Sequence, residues 1–350
     1  MCQSQIIITN NILPALENAL SAFSSESIFI VTDNNAQHFC LPTVLSIAKL
    51  RQSHVITIAA GDENKNIGTL THIWEELCTY GATRHSLVIN LGGGMVTDIG
   101  GFAASTFKRG CAFINIPTTL LGAVDAATGG KTGINFNGLK NEIGVFSPAK
   151  AVLIGTQFFD TLDSKNLYSG FAEMIKHTLI SSKTEYDRLF NYPLEEKNWS
   201  SFSRILEGNI AIKQRIVAED PQESGIRKAL NFGHTIGHAI ETLSHRIELP
   251  VLHGYAVMWG IICELYLSHI KIGFPSAIIT QLLSYTKEHY GQPTFLCEHY
   301  DTLLALMQHD KKNENKEINF TLLADFGDVR INQHATKEEI FEAMDFLREN

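Results

Sequence analysis

The sequence predicts an α/β domain built on a parallel sheet, followed by a mainly α-helical domain. Three observations carry this expectation. Short, nearly unbroken apolar runs of strand length fill the chain up to residue 155, amphipathic stretches alternate with them, and helical periodicity takes over after Phe159. Strands that are apolar on both faces need cover on both faces, which a parallel sheet flanked by helices supplies. Residues 1–158 therefore read as the α/β domain and residues 159–350 as the helical one.

In chain order, IIIT (6–9) is strand-sized. SIFIVTD (27–33), HVITIAA (54–60), SLVINLGGG (86–94), AFINIPT (112–118) and AVLIG (151–155) read as buried strands, bounded mostly by Gly, Asp, Asn or Pro. TLTHIWEELCTYG (69–81) is one of the amphipathic stretches between them. Helical spacing then recurs in LYSGFAEMIKHTLI (167–180), FSRILEGNIAIKQRIVAED (202–220), NFGHTIGHAIETL (231–243), HGYAVMWGIICELYLSHI (253–270) and SAIITQLLSYTKEHYG (276–291). Only INFTLLA (318–324) looks extended in this half, and HDKKNENKE (309–317) reads as a solvated loop.

A chain of 350 residues, 44% hydrophobic and 19% charged, is comfortable as two soluble domains. Its net charge of −9 argues against a non-specific grip on nucleic acid or anionic membrane, but leaves room for a local cation cluster around a small anion. The cysteines at 2, 40, 78, 111, 263 and 297 form no CxxC pair, so neither a thiolate zinc site nor a disulfide framework is expected. The first twenty residues show no basic region ahead of an apolar stretch and no small-residue cleavage pattern. The longest apolar tract, residues 255–267, is interrupted by Glu264 and is too short to span a bilayer. The expectation is a cytoplasmic protein.

INLGGGMVTDIGGF (89–102) places Gly92, Gly93 and Gly94 where an apolar strand ends and a helix begins. Such a turn lets the backbone approach a pyrophosphate at a helix N-terminus. The GxGxxG spacing fails, because Thr97 stands where the third glycine would fall. Alone, the turn fits a phosphate site and a tight strand–helix connection equally well. Asp33 in VTDNN (31–35) ends a strand with a carboxylate that could meet a ribose hydroxyl. AGDENK (60–65) adds Asp62 and Lys65.

Four of the fourteen histidines crowd residues 230–256. His234 and His238 lie four apart on one helical face. His253 follows fifteen residues after His238, beyond a break at Pro250, and opens the next helix. Phe232, Gly233, Gly237 and Ala239 around the pair argue for burial, which a ring tolerates as a hydrogen-bonded core residue or as a metal ligand. Glu173, an acid inside an otherwise apolar helix, is a candidate carboxylate ligand; with Lys176 it also reads as a simple i, i+3 pair. Lys131 after Gly129-Gly130, where a loop lysine could reach a phosphate, Lys140, Lys213 and Arg227 are isolated cations in apolar or glycine-rich surroundings. An anionic ligand explains them better than solubility does.

Taken together, GGGMVTDIGGFAASTFKRG, IPTTLLGAVDAATGGKTGIN, GLKNEIGVF, GFAEMIKH, ESGIRKALNFGHTIGHAIE, LHGYAV and DKK, in this order from about Asp33 to Lys312, resemble the dehydroquinate synthase family of sugar-phosphate cyclases. The resemblance implies a Rossmann-like NAD-binding domain and a helical metal-binding domain. It implies a divalent metal, zinc or cobalt, on Glu173, His234 and His253, with His238 free for chemistry and His245 outside the pattern. It implies NAD contacts from Asp33, Asn35, Asp62, Lys65, Gly92, Gly93, Gly94, Asp98, Thr118, Thr119, Asp125, Lys140, Thr161 and Leu162. Substrate contacts would come from Lys131, Asn141, Lys176, Lys213, Arg227, Asn231 and one of Lys311 or Lys312. Arg109 matches an arginine that reaches a neighbouring subunit's site, so a homodimer is implied. Asp62 replaces the family's usual glutamate, and TLDSKN (161–166) replaces a typical TLPxRE, putting Asn166 where the family has a glutamate.

The implied reaction converts 3-deoxy-D-arabino-heptulosonate 7-phosphate into 3-dehydroquinate and phosphate, a step of the shikimate pathway. The residues implied to act in it are His238, Lys131, Lys176, Lys213, Arg227 and Asn231. Rival readings are an NAD- and metal-dependent glycerol or alcohol dehydrogenase, a sibling cyclase of inosose or valiolone type, and a non-catalytic NAD-binding relative. The dehydrogenase resembles GGG followed by D-x-A-K; here Gly101 occupies the lysine position.

Overall fold

The computed structural model describes residues 4–24, 27–137, 139–308 and 318–350. The chain forms two compact units, Met1–Asp163 with Leu194–Ile210, and Ser164–Pro193 with Ala211–Asn350. No helix of the described residues is long and apolar enough to cross a membrane.

The first unit is built on β1 (Gln5–Thr9), β2 (Ile28–Asp33), β3 (His54–Ile58), β4 (Leu87–Gly92), β5 (Ala112–Pro117) and β8 (Ala151–Gly155), all parallel, in the order β1-β8-β5-β4-β2-β3. Every residue of β2, β4 and β8 is buried, as unbroken apolar strands require. Its helices are α1 (Ile12–Leu20), α2 (Asn34–Phe39), α3 (Leu41–Leu45), α4 (Ile67–Thr79), α5 (Gly94–Thr106) and α6 (Leu120–Val124). One core joins Leu16, Ile30, Ile89, Ile114 and Leu153. Leu194–Ile210 is tied to this unit by Trp199, whose indole donates to Asp160, and by Lys197, whose ammonium donates to the Leu162 carbonyl.

A hairpin, β6 (Lys131–Phe136) with β7 (Leu139–Phe146), lies between β5 and β8 in the chain and was not foreseen. Its glycines and scattered cations hide the alternation that marks a strand. Lys131, expected in a loop, opens β6 directly after Gly130, which takes φ +67°. β6 packs on α5 where Gly101 faces it; a Cβ there would stand 2.6 Å from Thr132 Cγ2 and 3.2 Å from Phe113 Cε2. A lysine has no room at that position, which counts against the dehydrogenase pattern.

The second unit holds α7 (Ser164–Leu179), α8 (Lys183–Phe190), the end of α9 (Trp199–Glu219), α10 (His234–Arg246), α11 (His253–Ile272), α12 (Ser276–His289), α13 (Tyr300–Gln308) and α14 (Lys337–Glu349). The extended segment expected at 318–324 forms β9 (Phe320–Asp325), which pairs antiparallel with β10 (Asp328–Gln333). The central helix α11 is buried nearly all round, which is why its sequence reads as an apolar tract.

Candidate active site

In the sheet the chain passes from β2 to β3 and then returns beyond β2 to β4, so strand order reverses between β2 and β4. Open α/β sheets bind ligands in the crevice at the carboxyl ends of strands at such a reversal. Asp33 ends β2 and Gly92 ends β4. Gly93 caps α5 with no side-chain hydrogen bond, leaving the helix N–H groups and the positive dipole end available to an anion. Added Cβ atoms would fill this cradle, standing 3.2 Å from Thr119 Cγ2 at Gly93 and 3.0 Å from Ala126 Cβ at Gly94. The residues therefore fit a dinucleotide pyrophosphate despite the broken fingerprint.

Around the cradle, the Asp33 carboxylate accepts from the backbone N–H groups of Asn35 (2.8 Å) and Ala36 (2.9 Å) and so caps α2; the Asn35 side chain is exposed. The Thr118 N–H donates to the Gly92 carbonyl, and Thr119 Oγ1 accepts from the Gly122 N–H, capping α6, which Asp125 closes. Thr161 Oγ1 donates to the Phe158 carbonyl, and the Leu162 N–H to that of Phe159. Sequence reasoning missed Cys40, a buried thiol hydrogen-bonded with Thr161 and Thr118. Burial pushes it up to about 11, with Asp33 adding to the rise, so it stays a neutral thiol.

A second cluster joins residues from four segments. The Lys65 ammonium donates to Asp98 on α5 and to Asn141 on β7. Lys140 pairs with Asp62 at 3.1 Å. Asn135, also missed, donates through Nδ2 to the Asp62 carboxylate (3.1 Å) and accepts the Asn141 N–H (2.9 Å). The hairpin is thereby latched to the 61–65 turn, and Asn141 takes φ +52° at the latch. Burial raises the Asp98 carboxyl above its ordinary pKa even though Lys65 pulls the other way.

The second unit brings Glu173, His234 and His253 together. Gly254 permits this: a Cβ there would meet the Ser169 carbonyl at 1.9 Å, so only glycine lets the start of α11 touch α7 one turn before Glu173. Glu173 Oε1 lies 3.2 Å from His234 Nε2 and 3.6 Å from His253 Nε2. Ligand atoms at tetrahedral angles and bonds of about 2.0–2.1 Å stand roughly 3.3 Å apart. The spacing fits a divalent ion. The opposite ring nitrogens are engaged: His234 Nδ1 hydrogen-bonds the Phe232 carbonyl (3.1 Å) and His253 Nδ1 the Glu241 carboxylate (3.0 Å). A proton held at Nδ1 leaves Nε2 as the lone-pair donor, the usual support for a metal-binding imidazole.

Burial alone would raise the Glu173 carboxyl, but the Lys176 ammonium and His234 outweigh it and hold it well below the carboxylate range. Burial, with Lys176, lowers His234 to about 3, so its ring is neutral. For His253 burial works against charge, and Glu241 and Glu173 override it, raising it to about 10, so an ion binding at Nε2 would have to displace a proton from this ring. The Glu173–Lys176 pair is fully buried, which excludes a surface pair. His238 sits one turn after His234, its ring centroid 5.1 Å from that of His234 and 5.8 Å from that of His253. His245 is exposed at the end of α10. Buried His177, unassigned from sequence, lies 3.9 Å from Glu173 through Nε2.

Among the cations, Lys213 and Arg227 are buried. Arg227 is held by a turn that Asp220 organises: its carboxylate accepts from the backbone N–H groups of Ser224, Gly225 and Arg227, and the guanidinium donates to the Pro221 carbonyl. Burial would raise Asp220, but these hydrogen bonds prevail and lower it. Asn231 Nδ2 donates to Glu223 at 2.8 Å. Arg109 is exposed and left-handed (φ +70°) beside Lys108 (φ +49°). Lys311 and Lys312 lie outside the described residues.

The family model for the 3-dehydroquinate synthase N-terminal part matches residues 55–169, and that for the C-terminal part matches residues 170–313. The chain is 51% identical over 350 residues to the 3-dehydroquinate synthase of Parabacteroides distasonis, covering 100% of this chain and 99% of the relative. It is 38% identical to that of Pyrococcus furiosus, covering 92% and 93%. Among solved structures it resembles the 2-epi-5-epi-valiolone synthase of Streptomyces hygroscopicus subsp. jinggangensis 5008 with NAD+ and Zn2+ bound, at TM-score 0.88 and 25% identity, covering 99% and 97%. With matches running unbroken through both units, the chain belongs to the 3-dehydroquinate synthase family.

Proposed function

We propose that this chain converts 3-deoxy-D-arabino-heptulosonate 7-phosphate into 3-dehydroquinate and phosphate, in the cytoplasm, as a homodimer with catalytic NAD and a divalent ion. NAD sits on residues 1–158, while residues 159–350 carry the metal and most of the substrate contacts. The observation that carries this reading is the anionic Glu173 facing the Nε2 atoms of two histidines whose other nitrogens are already engaged.

Glu173, His234 and His253 hold the ion. Asp33, Asn35, Asp62, Lys65, Gly92 to Gly94, Asp98, Thr118, Thr119, Asp125, Lys140, Thr161 and Leu162 cradle NAD. When bound, NAD would supply a reversible hydride acceptor for C5, and the ion would supply positive charge that acidifies the C5 hydroxyl. His238 accepts that hydroxyl's proton. Lys131, Lys176, Lys213, Arg227, Asn141 and Asn231 hold the anionic substrate while phosphate leaves by β-elimination next to the new ketone. One of Lys311 and Lys312 and the second copy's arginine equivalent to Arg109 complete the contacts. The same pocket then holds the ring-opened enolpyruvate as it closes by an intramolecular aldol step.

The test is phosphate release from the heptulosonate phosphate with NAD below stoichiometric amounts. Turnover should continue through many cycles and stop when a chelator strips the ion. NADH accumulating in proportion to a simple polyol would instead establish the dehydrogenase. Turnover of neutral-chain sugar phosphates in preference to the carboxylate substrate would establish a sibling cyclase.

Asp220→Ala should release the turn that aims Arg227 and raise KM for the substrate by roughly ten- to a hundredfold, with a smaller effect on kcat. Steady-state kinetics check this; an unchanged KM would mean that Arg227 does not meet the substrate.

A further inference from the structure

Glu264 is the acid that interrupts the apolar tract of α11, and none of the chemistry above uses it. It is completely buried. Its carboxylate accepts three backbone N–H groups at the start of α10: Gly233 at 2.7 Å, Thr235 at 3.1 Å and Ile236 at 3.3 Å. These belong to the donors that every α-helix leaves unsatisfied at its first turn. Helices usually satisfy them with a Ser, Thr, Asp or Asn at the cap. Here the cap residue is Gly233 in the left-handed region (φ +78°), which has no side chain to offer.

Packing explains why the cap comes from another helix. A Cβ on Gly233 would strike Ile261 Cγ1 at 2.5 Å, and a Cβ on Gly260 would strike the Gly233 carbonyl at 2.0 Å. Both positions must be glycine for α10 and α11 to touch backbone to backbone. A capping side chain at 233 is therefore excluded, and the donors would be buried without partners unless α11 supplied an acceptor. Glu264 lies one turn beyond Gly260, and eleven residues, about three turns, beyond His253 on the same face of α11. A buried negative charge at a helix N-terminus is also favoured by the dipole.

The residue so held is His234, the first residue of α10. We infer that Glu264 is a positioning residue for the metal site: it pins the N-terminus of α10 so that His234 Nε2 stands 3.2 Å from Glu173 Oε1, within reach of an ion shared with His253. This rests on the metal-site reading above. The effect differs from general stabilisation, because the metal ligand occupies the very turn whose N–H groups Glu264 accepts.

The experiment is Zn2+ titration of the full-length chain in competition with a chromophoric chelator, at a temperature where circular dichroism shows each variant folded. Glu264→Gln keeps the shape but turns an NH2 group toward at least one N–H donor. It should weaken Zn2+ affinity by roughly ten- to a hundredfold, with kcat recovering at saturating Zn2+ and KM for the substrate little changed. Glu264→Asp, shorter by one methylene, should show an intermediate loss and serves should the glutamine variant not fold. Leu347→Ala, a buried truncation in α14, should lower the melting temperature and leave Zn2+ affinity alone. A folded Glu264 variant with wild-type Zn2+ affinity overturns the inference and leaves the metal site intact. A wild-type chain that takes up no Zn2+ sinks the metal-site reading itself, and this inference with it.

Discussion

Glu173→Gln should give a folded chain that no longer retains its divalent ion and turns over at least about a hundredfold more slowly, since even residues that only support a metal ligand cost ten- to a hundredfold when lost. Glu173 supplies the only negative charge in the proposed ligand set, and its carboxylate is fully buried. An amide there keeps the volume and loses the charge. It also leaves Lys176, itself buried, facing a neutral group. Removing one partner of a buried ion pair costs about 3–5 kcal/mol, and Glu173→Ala, which adds a cavity, should sit at or beyond the upper end. The two consequences separate in the double variant Glu173→Gln with Lys176→Met. Thermal melting should recover much of the lost stability, while metal content stays at background. His245→Ala, at the exposed end of α10, should lose neither metal nor turnover. A Glu173→Gln protein that keeps stoichiometric metal through dialysis would remove this carboxylate from the site.

The contrast between the two halves of the chain shows what a sequence makes legible. The strands of the parallel sheet could be read because burial on both faces writes itself as unbroken β-branched runs, as in IFIVTD and AVLIG. The β6–β7 hairpin could not, since Gly133 and Gly144 face each other in register and the outward residues include Phe136, Ile143 and Phe146 beside Lys140 and Glu142. Apolar and polar positions there follow contacts rather than a period of two. The proposed metal cluster was half legible. An i, i+4 histidine pair suggests a site and Glu173, an acid inside an apolar helix, offers it a carboxylate, but it took the resemblance to prefer His253 to His238. Only the fold brings α7 and α11 together, at Gly254. Glu241 and Glu264 read as ordinary helix acids because their roles depend on a neighbouring helix, which no local pattern encodes.

Lys65→Met should loosen NAD binding and destabilise the first unit by about 3 kcal/mol at neutral pH, the lower end expected for breaking a largely buried pair. Lys65 is nearly inaccessible and joins Asp98 on α5 to Asn141 on β7, so one substitution cuts both the cradle and the hairpin latch. The pH dependence follows from Asp98. Its carboxyl is already raised by burial, and Lys65 is what restrains the rise. A carboxyl whose folded pKa exceeds its unfolded value holds its proton more tightly when folded. It therefore favours folding at low pH, and that contribution is lost as pH climbs from the unfolded value through the folded one. Without Lys65 the folded value rises further, so the cost of the ionised carboxylate grows at neutral pH and shrinks on acidification. The difference in melting temperature between wild type and Lys65→Met should be larger at pH 8 than at pH 5. Adding Asp98→Asn should remove most of that pH dependence, because no buried carboxylate is left to titrate. It should not restore NAD affinity, since the tie from the 61–65 turn to β7 stays broken. A Lys65→Met deficit that is flat between pH 5 and 8 would show that Asp98 stays solvated enough to ionise freely, and would shift the weight of the lysine from the carboxylate to Asn141.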